Sequence, residues 1–562
     1  MAPRCAVPAL TSALALALAL ALASLSTACA AVPGGAAGAA TPPGSAREDR
    51  VVLTAFDVVP AVAASQHTVY IATVDGIAAL DRDFGRWLPP LALGAGYGSA
   101  PVTAMAADPV EEGVWVAMAG AVIYYRPAFG DISRGIAPGI VDAIVFDNRD
   151  ASTGAYLHGA GGWALATRTG MVSPVDPSRV PPPGARTQPS TLAEVYAAYP
   201  SLRGAAPLLT RDADLQSWPV MSGAISPDRS EVWLGTRGGG LYRVDPLFLK
   251  GEQLPFGPLQ TAIGALAHDS TGVWMAGLGG PGGAARAGVA HTSTDLQQWS
   301  WLRSPAVSRA LAGARAIRMD VRGDRIWVAT DRGAVLLATT DQDRALRWSA
   351  TSGLPDDRTL SVAAADSGAW VGTARGLAFI ESPGSARAVR SSDVLVPAGP
   401  LAAVRSLLLV GDTLWVGSDA GLLLVRGASP DSLPRRVAVN DARLSRPIVA
   451  LAASDSLVAL ATARDLIVIH PRDASLVSRF DAVNIAAISP VNSIAMDAGT
   501  IWLAGDHGVL IVSRSSGASR LLAAPGIVPA EALDVMLDRD NAWIATPAGV
   551  VRLRRSPDGS VR

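Results

Sequence analysis

The chain has 562 residues, 49% of them hydrophobic and 17% charged, with 47 basic against 48 acidic side chains. A net charge of -1 gives no long-range field for capturing nucleic acid, and so high an apolar content excludes intrinsic disorder. With 56 glycines and 40 prolines, the composition is wrong for a helical bundle and suits many short elements joined by tight turns.

Arg4 is the single charge before an Ala/Leu run from about Ala6 to Leu25, the pattern of a secretory signal sequence. Ala28-Cys29-Ala30 fits an A-x-A cleavage site, whereas the stretch from Leu25 to Cys29 is similar to a bacterial lipobox, with Leu25 one position too far from the cysteine. An uncleaved helix anchor is a third reading, since the run is close to the roughly 20 residues a bilayer needs. Each reading puts the body outside the cytoplasm, as a periplasmic, outer-membrane or secreted protein. The reading adopted is a lipoprotein-type signal over residues 1–28 with lipidation at Cys29. Cys5 lies in the removed segment, so Cys29 has no internal disulfide partner. Residues 29–48, rich in Ala, Gly and Pro, read as a flexible tether.

From residue 49 to the end the chain repeats. An aromatic, two small or branched apolar residues, a small or hydroxyl residue, two variable residues and a glycine lead into an apolar strand. Copies start at Tyr70, Trp115, Ala164, Trp233, Trp274, Trp327, Trp370, Trp415, Ala459, Trp502 and Trp543. The steps between these eleven copies run from 41 to 69 residues, most of them in the range of propeller blades. Short β-prone runs ending in Asp/Gly/Asn turns precede them (ARAIRMDVRGD, TLSVAAADSG, VRSLLLVGD, VNSIAMDAG), so each unit reads as four antiparallel strands. Such units bury their faces only by stacking radially, which predicts an all-β propeller of about eleven four-stranded blades. Eight of the 14 tryptophans hold the aromatic slot and are expected to be wedges between blades. Trp87, Trp218, Trp299 and Trp348 are expected on outer strands, and Trp163 and Trp301 fit neither pattern.

The 69-residue step marks an insertion at about 175–216, Pro-rich and then helical from Ser190 or Thr191, with Glu194 placed for a capping box. It is either a functional loop or a decoration on the rim. Further on, the stretch from Trp348 to Leu377 carries an outer-strand Trp, Gly353-Leu354-Pro355, a β run, an Asp-x-Gly turn and the strand pair from Trp370. This resembles the two-component-regulator propeller repeat. The resemblance implies an extracytoplasmic sensor or binding module, either part of a membrane histidine kinase or free-standing. No kinase-like region, second membrane helix or Ig-like domain follows the propeller here, so only the recognition half is implied.

Two rings of about five to seven blades are expected, or one large ring. The last repeat stops without an outer strand, and VVLTAF at 51–56 has no blade of its own. Closing the final blade with that strand would remove an exposed edge and would make two rings nested in sequence, or the ring single.

Motifs for chemistry are weak. His67, His158, His268, His291, His470 and His507 show no metal-ligand spacing, and no metal or cofactor is expected. The GLGGPGG run from Gly277 lacks the lysine and helix of a phosphate loop. Ser293 to Trp299 is one residue short of a sialidase-type Asp-box. Asp147, Asn148 and Asp150, or Asp538 and Asp540, fall in hairpin turns without a calcium-loop pattern. The functional lead is positional: the variable slot between second and third strands presents Asp75, Arg237, Asp331, Arg332, Arg375, Asp419, Asp506 and His507. There they could recognise a polar ligand, carbohydrate or peptide, or an envelope protein, or simply keep the turns soluble. A non-catalytic binding propeller, free-standing or as the sensor part of a signalling system, is the first functional reading. A polysaccharide or lactone lyase or hydrolase, using His507 or a mouth Asp, is the alternative. A carboxylate or His cluster in a central cavity would favour the enzyme.

Overall fold

The computed structural model describes residues 50–556 apart from 93–96, 99, 188–190, 280–286, 342, 382–401, 428–434, 437–441, 455 and 481–482. The signal segment, the tether and Cys29 lie outside these residues.

The repeated motif builds a hairpin whose turn satisfies itself. The hydroxyl residue ends the second strand of a blade, and its side chain donates to the carbonyl of the glycine three residues on: Thr330 to Gly333 at 2.6 Å, Thr373 to Gly376 at 2.9 Å, Ser418 to Gly421 at 2.9 Å, Thr546 to Gly549 at 2.7 Å. The same hydroxyl accepts the N–H of the second slot residue, as from Arg332 at 3.1 Å and Arg375 at 3.2 Å. Glycine is required where the third strand begins. At Gly508 φ is +124°, and a Cβ would stand 2.1 Å from the Leu522 carbonyl oxygen.

Among the described residues these units form eleven antiparallel sheets, and the fold is an all-β propeller. Strands such as Val232–Thr236 and Gly368–Thr373 are buried throughout, because adjacent blades cover both of their faces. The eight slot tryptophans are all buried. Trp115, Trp274 and Trp543 donate through Nε1 to Asp108, Asp269 and Asp538 of the first hairpin turn at 2.9, 2.7 and 2.7 Å. Those turn aspartates therefore serve structure. Trp87, Trp299 and Trp348 do lie on outer strands, and so does Trp301. Trp218 does not: it precedes the inner strand Val220–Ile225, after the insertion.

The blades make two nested rings of unequal size. Strand Arg50–Leu53 pairs antiparallel with Gly549–Arg554 as the outer strand of the last blade. The chain then builds blades 1 to 4, with inner strands Ala61–Ala64, Val102–Ala107, Val141–Asp147 and Val220–Ile225. Only afterwards does it build blades 5 to 11, with inner strands Ile263–His268, Ala316–Arg322, Thr359–Ala365, Val404–Val410, Ala450–Ala453, Val491–Met496 and Asp534–Leu537. These seven inner strands neighbour one another in order, and the last returns to the first.

The smaller ring has four blades, fewer than the five to seven expected, because the insertion occupies a blade's place. Its strand Arg186–Thr187 pairs with the inner edge of blade 3 at Phe146 and Asp147. Five residues on, the helix Leu192–Ala198 starts, with the Thr191/Glu194 capping box formed. It and the helix Pro200–Leu209 bury Val195, Leu202 and Leu209 against Val232, Leu234, Tyr242 and Val244 of blade 4. The opposite face of blade 4, with Trp233 and Leu241, joins blade 1.

The rings lie side by side with the same polarity. Where inner strands begin, Asp75 of blade 1 accepts from Thr261 beside blade 5 at 2.5 Å. At the other end, Gln297 of blade 5 exchanges hydrogen bonds with the backbone of Trp87 of blade 1 at 3.0 and 3.1 Å. The upper face, where inner strands begin, is thus common to both rings, and so is the lower face.

Candidate functional site

The upper end of the larger ring opens into a cavity of about 530 Å³. Five of its inner strands carry a β-bulge after their first residue, at Gly264, Ile317, Leu360, Arg405 and Asn492. A bulge re-aims the extra residue, and all five line the cavity. The two strands without a bulge contribute the residue just before them, Val449 and Leu533. Each of the seven blades therefore supplies one side to a collar that is apolar at Ile317, Leu360, Val449 and Leu533 and polar at Arg405 and Asn492. Arg315, Arg358 and Asp331 stand around it, and Arg318 crosses beneath.

The charges differ in their engagement. Arg405 is paired with Asp419 at 2.5 and 3.2 Å. Arg318, on the inner strand of blade 6, donates to the Ile317 carbonyl at 2.6 Å and to the carbonyl of Asn492 on blade 10, across the ring. It separates the mouth from a lower channel of about 380 Å³, whose lining it shares. Arg315 and Arg358 are exposed, and among the described residues no side-chain hydrogen bond or ion pair engages either guanidinium.

The channel below holds Asp320 and Asp534, both tied to neighbouring blades. Asp534 accepts from Leu266 N at 3.0 Å and Ser493 Oγ at 2.6 Å. Asp320 accepts from Ala364 N at 2.7 Å and Val321 N at 2.9 Å, and burial pushes its carboxyl above the ordinary range. Ser361 to the Val404 carbonyl and Leu451 N to Ser406 continue this belt of latches between blades.

The eight slot residues do not share one mouth. Asp75 and Arg237 belong to the smaller ring and sit at connectors: Asp75 at Thr261, and Arg237 in a backbone bridge with Val58. The other six are on the upper face of the larger ring. Asp331 lines the cavity and accepts Arg315 N at 2.8 Å. Asp419 neutralises Arg405, and Asp506 accepts from Asn492 Nδ2 at 2.9 Å. Arg375 pairs with Asp356 at 3.3 Å, while Arg332 and His507 are exposed on their turns. Slot positions thus supply Asp331 to the lining, and Asp419 and Asp506 brace the lining residues Arg405 and Asn492; the other five do neither. The collar arises one strand earlier, at the second residue of runs such as VRSLLLV and VNSIAM, and an Arg or Asn there amid apolar letters was the available signal. Among the described residues no group of His, Cys, Asp and Glu could hold a metal ion.

No family model and no curated protein matches the chain. Solved structures similar to it include the extracellular domain of a one-component system of B. thetaiotaomicron, at 13% identity and TM-score 0.39 over 88% of this chain. The chain spans 65% of that domain's length. PorZ, a surface component of the type-IX secretion system of Porphyromonas gingivalis, is similar at 12% identity and TM-score 0.48, over 90% of this chain and 87% of PorZ. BamB of Moraxella catarrhalis is similar at 12% identity and TM-score 0.36, over 61% of this chain and 96% of BamB. At these identities neither ligand nor partner carries over.

Proposed function

We propose that this chain is an exported, non-catalytic binding propeller whose larger ring captures a small ligand bearing an anionic group and an apolar part. The observation that carries the reading is the pair of unengaged guanidiniums, Arg315 and Arg358, at the rim of a collar with four apolar sides. An arginine offers a carboxylate two parallel donors, and a stiff ring holds them in place with little ordering cost. The collar residues Ile317, Leu360, Val449 and Leu533 take the apolar part. The channel carboxylates, each tied up in bonds between blades, favour binding over the lyase or hydrolase reading. The signal-like start and the resemblance to two-component-regulator repeats support an extracytoplasmic sensor or adaptor, held to a membrane through Cys29.

The test is equilibrium binding of a panel of N-acyl amino acids, uronates and dicarboxylates. A binder should lose about ten-fold in affinity with Arg315→Ala and again with Arg358→Ala, the scale of one charge-assisted hydrogen-bond pair. Unchanged affinity in the double variant rejects the mouth as the site. For the anchor, a palmitate analogue should label the wild type and not Cys29→Ala; equal labelling rejects lipidation.

A further inference from the structure

The lower face of the smaller ring carries a feature that ligand capture at the upper face leaves unexplained. The turn between third and fourth strands ends in an exposed large apolar side chain in each of its four blades. These are Phe84 (77% exposed), Phe129 (64%), Met171 (71%) and the pair Leu247 and Phe248 (83% and 82%). Three share one construction, a phenylalanine followed by a residue with positive φ: Gly85 at +63°, Gly130 at +63° and Leu249 at +52°. The chain has only eight phenylalanines. Phe56, Phe146, Phe256 and Phe379 are buried in the core and Phe480 is partly buried against it, so the three exposed ones all stand in this one slot.

Among the described residues the larger ring does not repeat the feature. Its described turns at this position hold Asp341 and Arg344, Arg472 and Asp473, or Ser515 and Ser516, and Leu296 in blade 5 is buried. Elsewhere on the smaller ring the exposed apolar side chains recur at no common position: Val74 and Val110 in single turns of blades 1 and 2, Ile136 and Ile140 at and after the end of blade 2, and Leu208 and Leu215 in the insertion. A property present at the same turn of all four blades of one ring, and at no other described turn of this kind, is a property of that face.

We infer that these turns insert into a lipid surface. Side chains 64–83% exposed, each projecting from its own turn, differ from the continuous patch that a folded protein partner would cover. A bilayer interface accepts separate apolar tips at any spacing. The strand Arg50–Leu53 starts at the lower face, since Arg50 pairs with Leu553 at the far end of the third strand of blade 11. The chain therefore enters the body on the side where the phenylalanines project. The 49 residues before it include the apolar run and Cys29. With the lower face on lipid, the mouth of the larger ring points away from the membrane.

The inference uses the membrane reading of the N-terminus as support, and its test is independent of lipidation. In the full chain carrying Cys5→Ala and Cys29→Ala, an environment-sensitive fluorophore is attached through Phe248→Cys or, on the upper face, Asp419→Cys. Vesicles of phosphatidylethanolamine and phosphatidylglycerol containing nitroxide lipids should quench the probe at position 248 and leave that at 419 bright. No quenching at 248, or equal quenching at both, overturns the inference, whatever the labelling of Cys29 shows. Phe84→Ser, Phe129→Ser and Phe248→Ser, which touch no core, should each weaken vesicle binding on the order of ten-fold. A triple variant that binds vesicles like the parent, or that instead loses a co-purifying protein, also overturns it.

Discussion

The slot tryptophans look alike in the sequence and are not alike in the folded chain. Trp543 donates to Asp538, whereas the Nε1 of Trp415 is buried with no hydrogen-bond partner. Replacing each by Phe separates packing from hydrogen bonding: Trp543→Phe should cost about 1–3 kcal/mol more than Trp415→Phe, because it removes a hydrogen bond to a half-buried carboxylate while the other removes an orphaned donor. Denaturant midpoints at equal m-value check this. Asp320 gives a pH signature. Its folded-state carboxyl titrates higher than in the unfolded chain, so the unfolded state loses its proton first as pH rises from about 4, and folding weakens until the folded-state group also ionises. The Tm of the wild type should therefore fall relative to that of Asp320→Asn, which lacks the titration and one of the two accepting oxygens, as pH rises above about 4; a difference independent of pH contradicts the assignment. The wedge role of tryptophan was legible because its spacing repeats. The collar was not, because a bulge leaves no letter of its own: Leu360 and Ile317 read as ordinary strand residues, and only register reveals that they turn into the mouth.

At the scale of elements, the insertion was visible as one long step, yet its role was not. Two helices covering blade 4 make sense only once blade 3 is seen to hand over through Arg186–Thr187, a pairing across some forty residues that no local pattern encodes. Trp218 was misplaced for the same reason, since its acceptor Asp212 lies within the insertion. The seam between the rings is equally non-local. Arg303 lies buried between Trp218 and Trp301, 4.4 and 4.9 Å from their rings, pairs with Asp212 at 3.2 Å and donates to the Gly238 carbonyl. Arg303→Ala leaves Asp212 buried without its cation and should cost about 3–5 kcal/mol. Arg303→Lys keeps the charge but loses the stacked planar donor, and should recover only part of that loss. Thermal unfolding of both variants at neutral pH is the measurement; equal stability of Lys and Ala variants would mean that stacking, not charge, holds the seam.

At the scale of the whole molecule, the chain ends were the most informative letters. A strand without a blade at one end and a blade without a strand at the other predicted closure, and Val51 and Val52 pair with Arg552 and Val551 accordingly. Blade number per ring escaped prediction, because nothing in the repeat spacing distinguishes the fourth blade from the fifth. Val51→Pro removes a ladder donor that faces Arg552 from the closing strand, crowds a buried position and reopens the edge of blade 11; a loss of about 3 kcal/mol or more is expected, with increased self-association. Light scattering alongside an unfolding curve reads both.

The nested closure also sets an order of events. Residues 50–53 leave the ribosome some five hundred residues before Gly549–Arg554, the strand they must pair with. The four-bladed ring can condense while synthesis continues, whereas the larger ring stays an open arc until the last blade arrives. Its completion is a contact of the highest sequence separation in the chain, and therefore a slow and late one. Until then the first strand waits, and the mouth that all seven blades share does not exist.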